Sequence, residues 1–351
     1  MASHDDLLQA KQTLGQSLLR AGLEGGVVGN RRTLQLSKAI ASGGHNVHAV
    51  GIGRKITDGV ESDELCLRVY VVQKLALSLL APRDRIPESI DGLPIDIIES
   101  APAFLSDDRL DRIAATACTL TRKKHQRPVV AGISAGHFAI TAGTLGYFCR
   151  SVRVGDDLDQ IHVLSNNHVF ANVDNAQQGD ALYQPGSADG GGSNDRFAEF
   201  VRAVPIHMGG RLPNRVDAAI GRLLPEVAYA RSICTIGPVN GATQASLAMP
   251  VCKHGRTTGY TEGRVVDVDY DALVGMDHQD PRIVALFADQ MRIERDIPFP
   301  AIGLGGDSGS LVVERHGKAA IGLYFAGPED GSYGIANHIH DVFNELQVQL
   351  I

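Results

Sequence analysis

The sequence predicts a mainly β protein with an N-terminal helix and a small α+β module ahead of its main body. From about residue 126 onward, short apolar runs alternate with Gly, Asn and Asp, a pattern typical of barrels and sandwiches built from many strands. Apolar residues recur at helical spacing chiefly near the two ends of the chain. A chain of 351 residues, 44% of them hydrophobic, is long enough for one large domain and a smaller one.

The first predicted element is a helix over residues 4–20, within an N-terminal helical segment that we assign to residues 1–44. Ser3 and Asp6 have the spacing of a capping box at its start. The leucines that recur at helical spacing are Leu7, Leu8, Leu14, Leu18 and Leu19. Because the polar face carries mixed charges, we expect the apolar stripe to be a packing or subunit surface and not a membrane anchor.

Residues 45–110 are predicted to form a small α+β accessory domain. We expect strands at 47–53, 65–72 and 95–98, and a short leucine-rich helix near 75–81 that ends before Pro82. The region contains no catalytic constellation. A pro-segment, a regulatory module and an assembly domain are therefore its alternative roles.

The remaining residues, 111–351, are assigned to one mainly β domain. The expected strands are 143–149, 160–165, 218–224, 264–270, 284–293, 310–314, 319–325 and 333–337. The apolar spacing of residues 339–346 predicts a C-terminal helix. The glycine-rich stretch 188–195 is predicted to be a flexible loop, and it lacks the Lys-Ser/Thr of a phosphate loop, so we assign it no ligand.

The strongest functional signal is the stretch Gly305-Gly306-Asp307-Ser308-Gly309, which precedes a strand-like run. Glycines permit a sharp turn and let a ligand approach the main chain. Ser308 would present its hydroxyl on that turn, where the amides of Gly306 and Ser308 could form an oxyanion hole. An ordinary glycine-rich turn between strands is the alternative. The signal becomes specific only if a histidine and a buried aspartate accompany it.

Two upstream residues supply these partners. His168 follows an alternating run that ends at Ser165, and histidine is the side chain most often used as a general base. Asp217 stands at the head of an apolar run, where a buried carboxylate needs a partner such as a histidine N–H. The alternatives are a surface histidine, and an aspartate that caps a turn or pairs with Arg215 or Arg222.

Together the three motifs resemble those of the trypsin/chymotrypsin-like serine proteases. Ser-Asn-Asn-His-Val around His168 resembles the family's histidine motif, Val-Asp-Ala-Ala-Ile around Asp217 its aspartate motif, and Gly-Gly-Asp-Ser-Gly-Ser-Leu-Val around Ser308 its serine motif. The resemblance implies a two-barrel trypsin-like fold and a catalytic triad that hydrolyses peptide bonds through an acyl-enzyme, with no cofactor and no metal. The α/β-hydrolase pattern G-x-S-x-G does not match, because position 310 is Ser.

A narrower resemblance, to the bacterial relatives of the plant Narrow Leaf protease family, covers roughly residues 45–340. The segments that carry it are 54–59, 67–71, 85–87, 91–92 and 255–259. It implies an intracellular enzyme with an added N-terminal region, acting on a restricted protein substrate, and it admits a homo-oligomer.

The family resemblance also implies where substrate is held. Ile302, six residues before the nucleophile, would form the base of the primary pocket, and its apolar side chain would disfavour Arg or Lys and favour apolar or small side chains. The strand 322–327, which contains Phe325 and Gly327, would form the pocket wall and pair with the substrate backbone.

Composition and charge exclude several other classes of function. The net charge of −7 argues against a nucleic-acid partner, and no run of eighteen apolar residues is present to span a membrane. The N-terminus lacks a signal-peptide pattern. The five scattered cysteines contain no C-x-x-C, and Val169 follows His168 where secreted relatives carry cysteine. We therefore expect a cytoplasmic protein without a structural zinc site.

Asp307 raises the question of activation. Secreted relatives become active when a freed N-terminus pairs with the acid before the serine, and no cleaved Ile-Val-Gly-Gly start is visible here. We hypothesise that another group holds Asp307 and that assembly or a partner controls activity. The competing hypotheses are a latent or non-catalytic trypsin-like scaffold with a regulatory or assembly role, and a protease that cuts itself or one dedicated partner.

Overall fold

A computed structural model describes residues 3–19, 46–57, 60–76, 80, 85–105, 122–277 and 283–351. The chain packs into two compact units. The first comprises Met1–Phe104, His207–Asn214 and Val266–Arg292, and the second comprises Leu105–Ile206, Arg215–Val265 and Ile293–Ile351. The domain boundaries predicted after residues 44 and 110 lie outside the described residues and stay predictions.

The fold is mainly β with an N-terminal helix, as the sequence predicts. Within the described residues the helices are α1 His4–Leu18, α2 Asn167–Phe170 and α3 Ile339–Leu346. None of them is long and apolar enough to cross a membrane. The strands are β1 Val47–Thr57, β2 Val60–Val71, β3 Ser89–Ile90, β4 Leu93–Glu99, β5 Ala103–Leu105, β6 Val129–Ala131, β7 Ser134–His137, β8 Gly143–Thr144, β9 Tyr147–Ser151, β10 Ile161–Ser165, β11 Ala181–Tyr183, β12 Arg196–Ala203, β13 Pro213–Asn214, β14 Ala219–Leu223, β15 Tyr229–Ile233, β16 Pro250–Gly255, β17 Gly259–Gly275, β18 Val284–Arg295, β19 Leu311–Glu314, β20 Ala320–Gly327, β21 Tyr333–His338 and β22 Val348–Leu350.

Helix α1 begins with the predicted capping box. The Asp6 N–H donates to the Ser3 hydroxyl at 3.2 Å, and the Ser3 N–H donates to the Asp6 carboxylate at 2.9 Å. The helix ends at Leu18, and residue 20, its predicted end, lies outside the described residues. Leu7 and Leu14 on the apolar stripe are buried in one cluster with strand residues of the first unit. The stripe is therefore a packing surface within the chain.

The first unit is built on a sheet in which β1 lies between β2 and the C-terminal part of β17, antiparallel to both. Strand β4 pairs parallel with β2 and antiparallel with β3. The three predicted strands of this region are confirmed: 47–53 and 95–98 lie inside longer strands, and 65–72 matches the end of β2 except for residue 72, which lies beyond it. Residues 74–76, at the start of the helix expected near 75–81, are not helical, and most of the rest of that segment lies outside the described residues.

The second unit contains two large barrel-like sheets. Their strand orders are β22-β9-β10-β14-β12-β11-β7-β8 and β21-β20-β19-β16-β17, the last through its N-terminal part. Aromatic and branched side chains such as Phe148, Val163 and Phe197 fill the core of the first sheet. A second cluster joins both sheets to α3 through residues such as Leu164 and Leu323. All the sequence-predicted site residues belong to this unit.

The cysteines do not all follow the expected pattern. Cys66, Cys149 and Cys252 are buried free thiols, whereas Cys234 is disulfide-bonded. Because disulfides are rare in reducing compartments, this bond weighs against the reasoning that led from the cysteines to the cytoplasm. The cytoplasmic location stays a prediction.

Candidate active site

Ser308 lies in a tight loop that enters β19, and two glycines give this loop its shape. Gly306 has φ of +88° and Gly309 has φ of +94°, both in the left-handed region. A Cβ atom at Gly306 would lie 2.7 Å from Thr257 Oγ1, and one at Gly309 would lie 2.1 Å from Ser165 Oγ. Glycine is thus required at both positions by conformation and by space.

The Ser308 side chain is 1% exposed. Its hydroxyl donates to the Phe325 carbonyl at 2.9 Å. Gly143 lies close to both Ser308 and the residue that follows His168, because a Cβ atom there would lie 2.6 Å from the Val169 side chain and 3.1 Å from the Ser308 carbonyl oxygen. The nucleophile candidate and the residue after His168 therefore border the same glycine.

The carbonyl groups of the Ser308 loop are held by two threonines. The Thr257 hydroxyl donates to the Gly305 carbonyl. The Thr144 hydroxyl donates to the Gly306 carbonyl at 2.8 Å, and the Thr144 N–H donates to the Ser308 carbonyl at 2.8 Å. Among the residues that the structure describes, the N–H groups of Gly306 and Ser308 have no hydrogen-bond partner. These two amides can receive a developing oxyanion.

His168 is the second residue of α2 and pairs with Asp217. The distance from His168 Nδ1 to Asp217 Oδ2 is 2.5 Å, and the His168 N–H donates to Asp217 Oδ1 at 3.2 Å. An ionised carboxylate only accepts, so Nδ1 carries the proton, and in the neutral imidazole Nε2 then presents its lone pair. Nε2 is buried, and no group in the described part of the chain hydrogen-bonds to it. The imidazole thus has the tautomer of a general base.

Two asparagines fix Asp217, which is fully buried. The Asn166 side chain donates to the Asp217 carbonyl at 2.7 Å, and the Asp217 N–H donates to the Asn337 side chain at 3.1 Å. Asp217 does not pair with Arg215 or Arg222: Arg215 pairs with Asp341, and Arg222 with Glu199. The alternative pairing of Asp217 with Arg215 or Arg222 therefore does not apply.

Asp307 is enclosed by donors from strand β16, from the turn that follows it and from its own loop. Lys253 Nζ on β16 lies 3.2 Å from Asp307 Oδ2. The N–H groups of Thr257 and Thr258 donate to Oδ1 at 2.8 and 3.1 Å, while the Thr258 hydroxyl and the Leu304 N–H donate to Oδ2 at 2.7 and 2.9 Å. In the sequence, residues 255–259 contribute only to a family resemblance, and no local motif marks Lys253.

Arg256 links the same loop to Asp189, which belongs to the stretch 188–195 predicted to be flexible. Its guanidinium forms a two-pronged bond with Asp189, at 2.7 and 2.6 Å. A Cβ atom at Gly306 would lie 2.8 Å from Arg256 Nη1, so the Arg256 side chain packs against the loop of the nucleophile. Residues 187–189 and 193–195 form short 3₁₀ turns. The stretch 188–195 thus has regular turns and a buried ion pair, contrary to the expectation of a flexible loop.

The predicted substrate-binding residues lie beside the Ser308 loop. Ile302 is buried, its N–H donates to the Gly331 carbonyl at 2.9 Å, and its carbonyl accepts from the Thr261 hydroxyl at 2.7 Å. Phe325 contacts Ser308 through its carbonyl. Gly327 lies further along β20, where strand β19 no longer pairs with it.

The sequence matches no protein-family model, and it matches no curated protein. Several solved structures of bacterial serine proteases are similar to the chain. Thermobifida fusca protease A aligns with a TM-score of 0.44 and 17% identity, over 64% of this chain and 98% of that one. Nocardiopsis protease aligns with a TM-score of 0.45 and 16% identity, over 63% and 98%. A glutamic acid-specific serine protease, described as using a histidine triad in substrate binding, aligns with a TM-score of 0.44 and 16% identity, over 64% of this chain and 100% of that one.

Proposed function

We propose that this chain is a serine endopeptidase that hydrolyses peptide bonds with Ser308 as nucleophile, His168 as general base and Asp217 as its orienting partner. The observation that carries the proposal is the short contact from His168 Nδ1 to the buried Asp217 carboxylate, which leaves Nε2 unprotonated. The two unpartnered amides of Gly306 and Ser308 provide independent support.

The reaction begins when Ser308 Oγ turns from the Phe325 carbonyl towards His168. Nε2 takes the hydroxyl proton as Oγ forms a bond to the scissile carbonyl carbon. The carbonyl oxygen becomes an oxyanion between the N–H groups of Gly306 and Ser308, each of which typically stabilises such a transition state by about 3 kcal/mol. The C–N bond then breaks, and the leaving amine takes the proton from His168.

Water completes the cycle by the same route. His168 removes a proton from water, whose oxygen attacks the acyl carbon, and the proton returns to Ser308 Oγ as the ester bond breaks. Asp217 remains ionised throughout and stabilises the imidazolium cation through Nδ1–H. No step of this scheme calls for a metal or another cofactor.

A second candidate function is a latent enzyme or scaffold. It is favoured by the bond from the Ser308 hydroxyl to the Phe325 carbonyl and by the near-complete burial of Ser308. In that case a partner or assembly would release the hydroxyl. We also propose that the serine endopeptidase acts on a restricted intracellular protein substrate and forms a homo-oligomer. We propose too that it is related to the Narrow Leaf proteases, and the segments named above support that relationship.

The deciding experiment is labelling with a fluorophosphonate probe, followed by mass mapping of the labelled peptide. We expect wild-type protein to be labelled at Ser308. The rate of labelling should be at least about 1000-fold lower in Ser308→Ala and in His168→Ala. Ser332→Ala and the exposed His340→Ala are the matched controls and should be labelled like wild type.

Two outcomes would contradict an active triad. Folded wild-type protein that is labelled only after cell extract is added would identify the latent form. Folded protein that is labelled under neither condition would identify a scaffold. Where labelling succeeds, digestion of casein compared with digestion of a cell lysate separates a general protease from one with a restricted substrate.

A further inference from the structure

Tyr324 on β20 is attached directly to the loop that carries the nucleophile. Its carbonyl accepts from the Gly309 N–H at 2.9 Å, and its N–H donates to the Ser310 carbonyl at 2.9 Å. The carbonyl of the next residue, Phe325, accepts from Ser308 Oγ. Tyr324 is therefore the neighbour in sequence of Phe325, whose carbonyl contacts the Ser308 hydroxyl. Tyr324 is fully buried.

Three glycines make room for the Tyr324 ring. A Cβ atom at Gly303 would lie 2.5 Å from Cζ, one at Gly334 would lie 2.4 Å from Cε2, and one at Gly327 would lie 2.9 Å from the hydroxyl oxygen. Carbon atoms in good contact are about 3.5–4.0 Å apart, so side chains at these positions would displace the ring. Ile302 borders the same space, since its Cγ2 would lie 3.3 Å from a Cβ atom at Gly334.

The ring is also held by a buried cation. Lys253 Nζ lies 5.3 Å from the centroid of the Tyr324 ring, and the same ammonium group pairs with Asp307. A cation within about 6 Å of an aromatic face is attracted to it, more strongly when both are removed from water. The group that neutralises the acid before Ser308 thus also fixes the tyrosine.

We propose that Tyr324 closes the primary specificity pocket and restricts cleavage to peptide bonds that follow a small residue, namely Gly, Ala or Ser. The inference rests on the proposed function and narrows it to a substrate class. Ile302, the expected base of the pocket, and Gly327, on its expected wall, both border the Tyr324 ring. On this proposal the tyrosine ring occupies the volume that a bulky substrate side chain would need, so only a small side chain can enter.

The test uses peptide p-nitroanilides that differ only in the residue before the scissile bond: Gly, Ala, Leu, Phe or Lys. Rates are expressed per active serine, counted by fluorophosphonate labelling of Ser308. We expect kcat/KM for Ala to exceed that for Phe by about 100-fold or more, the discrimination that steric exclusion from a pocket can give. Tyr324→Val opens the pocket and should raise the Phe-to-Ala ratio by at least about 10-fold.

Two control variants distinguish closure of the pocket by the Tyr324 ring from a general loss of core packing. Tyr324→Phe keeps the ring and should keep the wild-type ratio between the two substrates. Tyr147→Val truncates an equally buried tyrosine in the other sheet of this unit. It should lower stability and leave the ratio unchanged.

Each outcome decides the inference. Labelled wild-type enzyme that prefers Phe, Leu or Lys overturns it and leaves the proposed function intact. A folded Tyr324→Val enzyme with an unchanged ratio overturns it too. Absence of labelling at Ser308, both with and without cell extract, overturns both, because the serine is then not an activated nucleophile. If Tyr324→Val does not fold, peptide boronates decide on wild type: protection of Ser308 from the probe by an alanine boronate, and not by a phenylalanine boronate, supports the closed pocket, and the reverse overturns it.

Discussion

Lys253 Nζ lies 3.2 Å from Asp307 Oδ2, with the two side chains 1% and 0% exposed. Burial by itself would raise the pKa of the Asp307 carboxyl. The Lys253 charge, the N–H of Leu304 and the donors of Thr257 and Thr258 outweigh burial and hold the pKa of Asp307 below its ordinary value. Asp307 therefore stays ionised beside Ser308 without a freed N-terminus, as the hypothesis that another group holds it requires.

The first prediction concerns this ion pair. Lys253→Met removes the charge and keeps most of the stem, which leaves the Asp307 carboxylate buried without its cation. We expect the free energy of unfolding to fall by about 3–5 kcal/mol and the labelling rate of Ser308 to fall with it. Urea unfolding followed by circular dichroism gives the first quantity, and fluorophosphonate labelling gives the second.

A double variant and a surface control complete that experiment. Lys253→Met with Asp307→Asn removes the unpaired charge, so part of the lost stability should return. Lys124→Met changes an exposed lysine and should behave like wild type. A Lys253→Met protein as stable and as reactive as wild type would show that the pair does not support the loop.

The second prediction concerns the direction of the Gly306 N–H. The Thr257 hydroxyl donates to the Gly305 carbonyl, and in a planar trans peptide the C=O and N–H point in opposite directions. This bond therefore turns the Gly306 N–H away from Thr257. Thr257→Val removes the donor and keeps the shape, and we expect kcat to fall by about 10–100-fold with KM little changed, because the oxyanion exists only beyond the ground state.

Thr257→Ser is the matched variant, since it restores the hydroxyl. Steady-state kinetics on an alanine p-nitroanilide should show kcat recovering towards the wild-type value. Equal losses in the valine and serine variants would mean that packing at Thr257 matters and the hydrogen bond does not.

The third prediction concerns Asp217, the proposed acid of the triad. In Asp217→Asn, the amide can donate to His168 Nδ1, which moves the ring proton to Nε2 and removes the base. We expect kcat at neutral pH to fall by about 10⁴-fold with the fold retained. Asp341→Asn, which breaks the partly exposed pair with Arg215, is the control and should change kcat by less than about 2-fold. An Asp217→Asn enzyme within 10-fold of wild type would argue against His168 as the base.

Some residues of the candidate site stand in a recognisable local motif, and others do not. Ser308, His168 and Asp217 each stand in a short local motif, so neighbouring residues indicate the turn or strand end that presents the side chain. Lys253 is one position in the strand Pro250–Gly255, and its partner is distant in the chain. Alternation within a strand predicts which side chains are buried but not which distant charge one of them meets.

The same limit explains two of the expectations that differed. Composition alone made 188–195 a flexible loop, because counting glycines cannot reveal that Asp189 pairs with Arg256. Strand β17 was expected over 264–270 and extends over Gly259–Gly275, because polar residues interrupt its apolar alternation while its backbone continues to pair. Pairing with other strands, which periodicity does not report, sets the true ends.

The fourth prediction concerns Asp267, a fully buried carboxyl of the first unit. It accepts from the N–H groups of Ile52 and Asp269, each at 3.1 Å, and from the Tyr70 hydroxyl at 3.3 Å. Burial raises the pKa of Asp267 to about 7, although the charge of Arg68 opposes the shift. In the unfolded chain an aspartate titrates near pH 4, as a typical value of about 3.9 indicates.

Between about pH 4 and pH 7 the folded protein therefore holds one proton more than the unfolded chain at this position. The free energy of unfolding therefore falls as pH rises through this window, by up to about 1.4 kcal/mol per pH unit. This contribution levels off above the pKa of Asp267 in the folded protein. Asp267→Asn is neutral at every pH and should flatten that part of the pH dependence. Unfolding free energies from urea titrations at pH 5, 6, 7 and 8 measure it, and Asp63→Asn, at an almost fully exposed carboxylate, should retain the wild-type slope. Equal slopes in wild type and Asp267→Asn would mean that Asp267 is already ionised in the folded protein at pH 5.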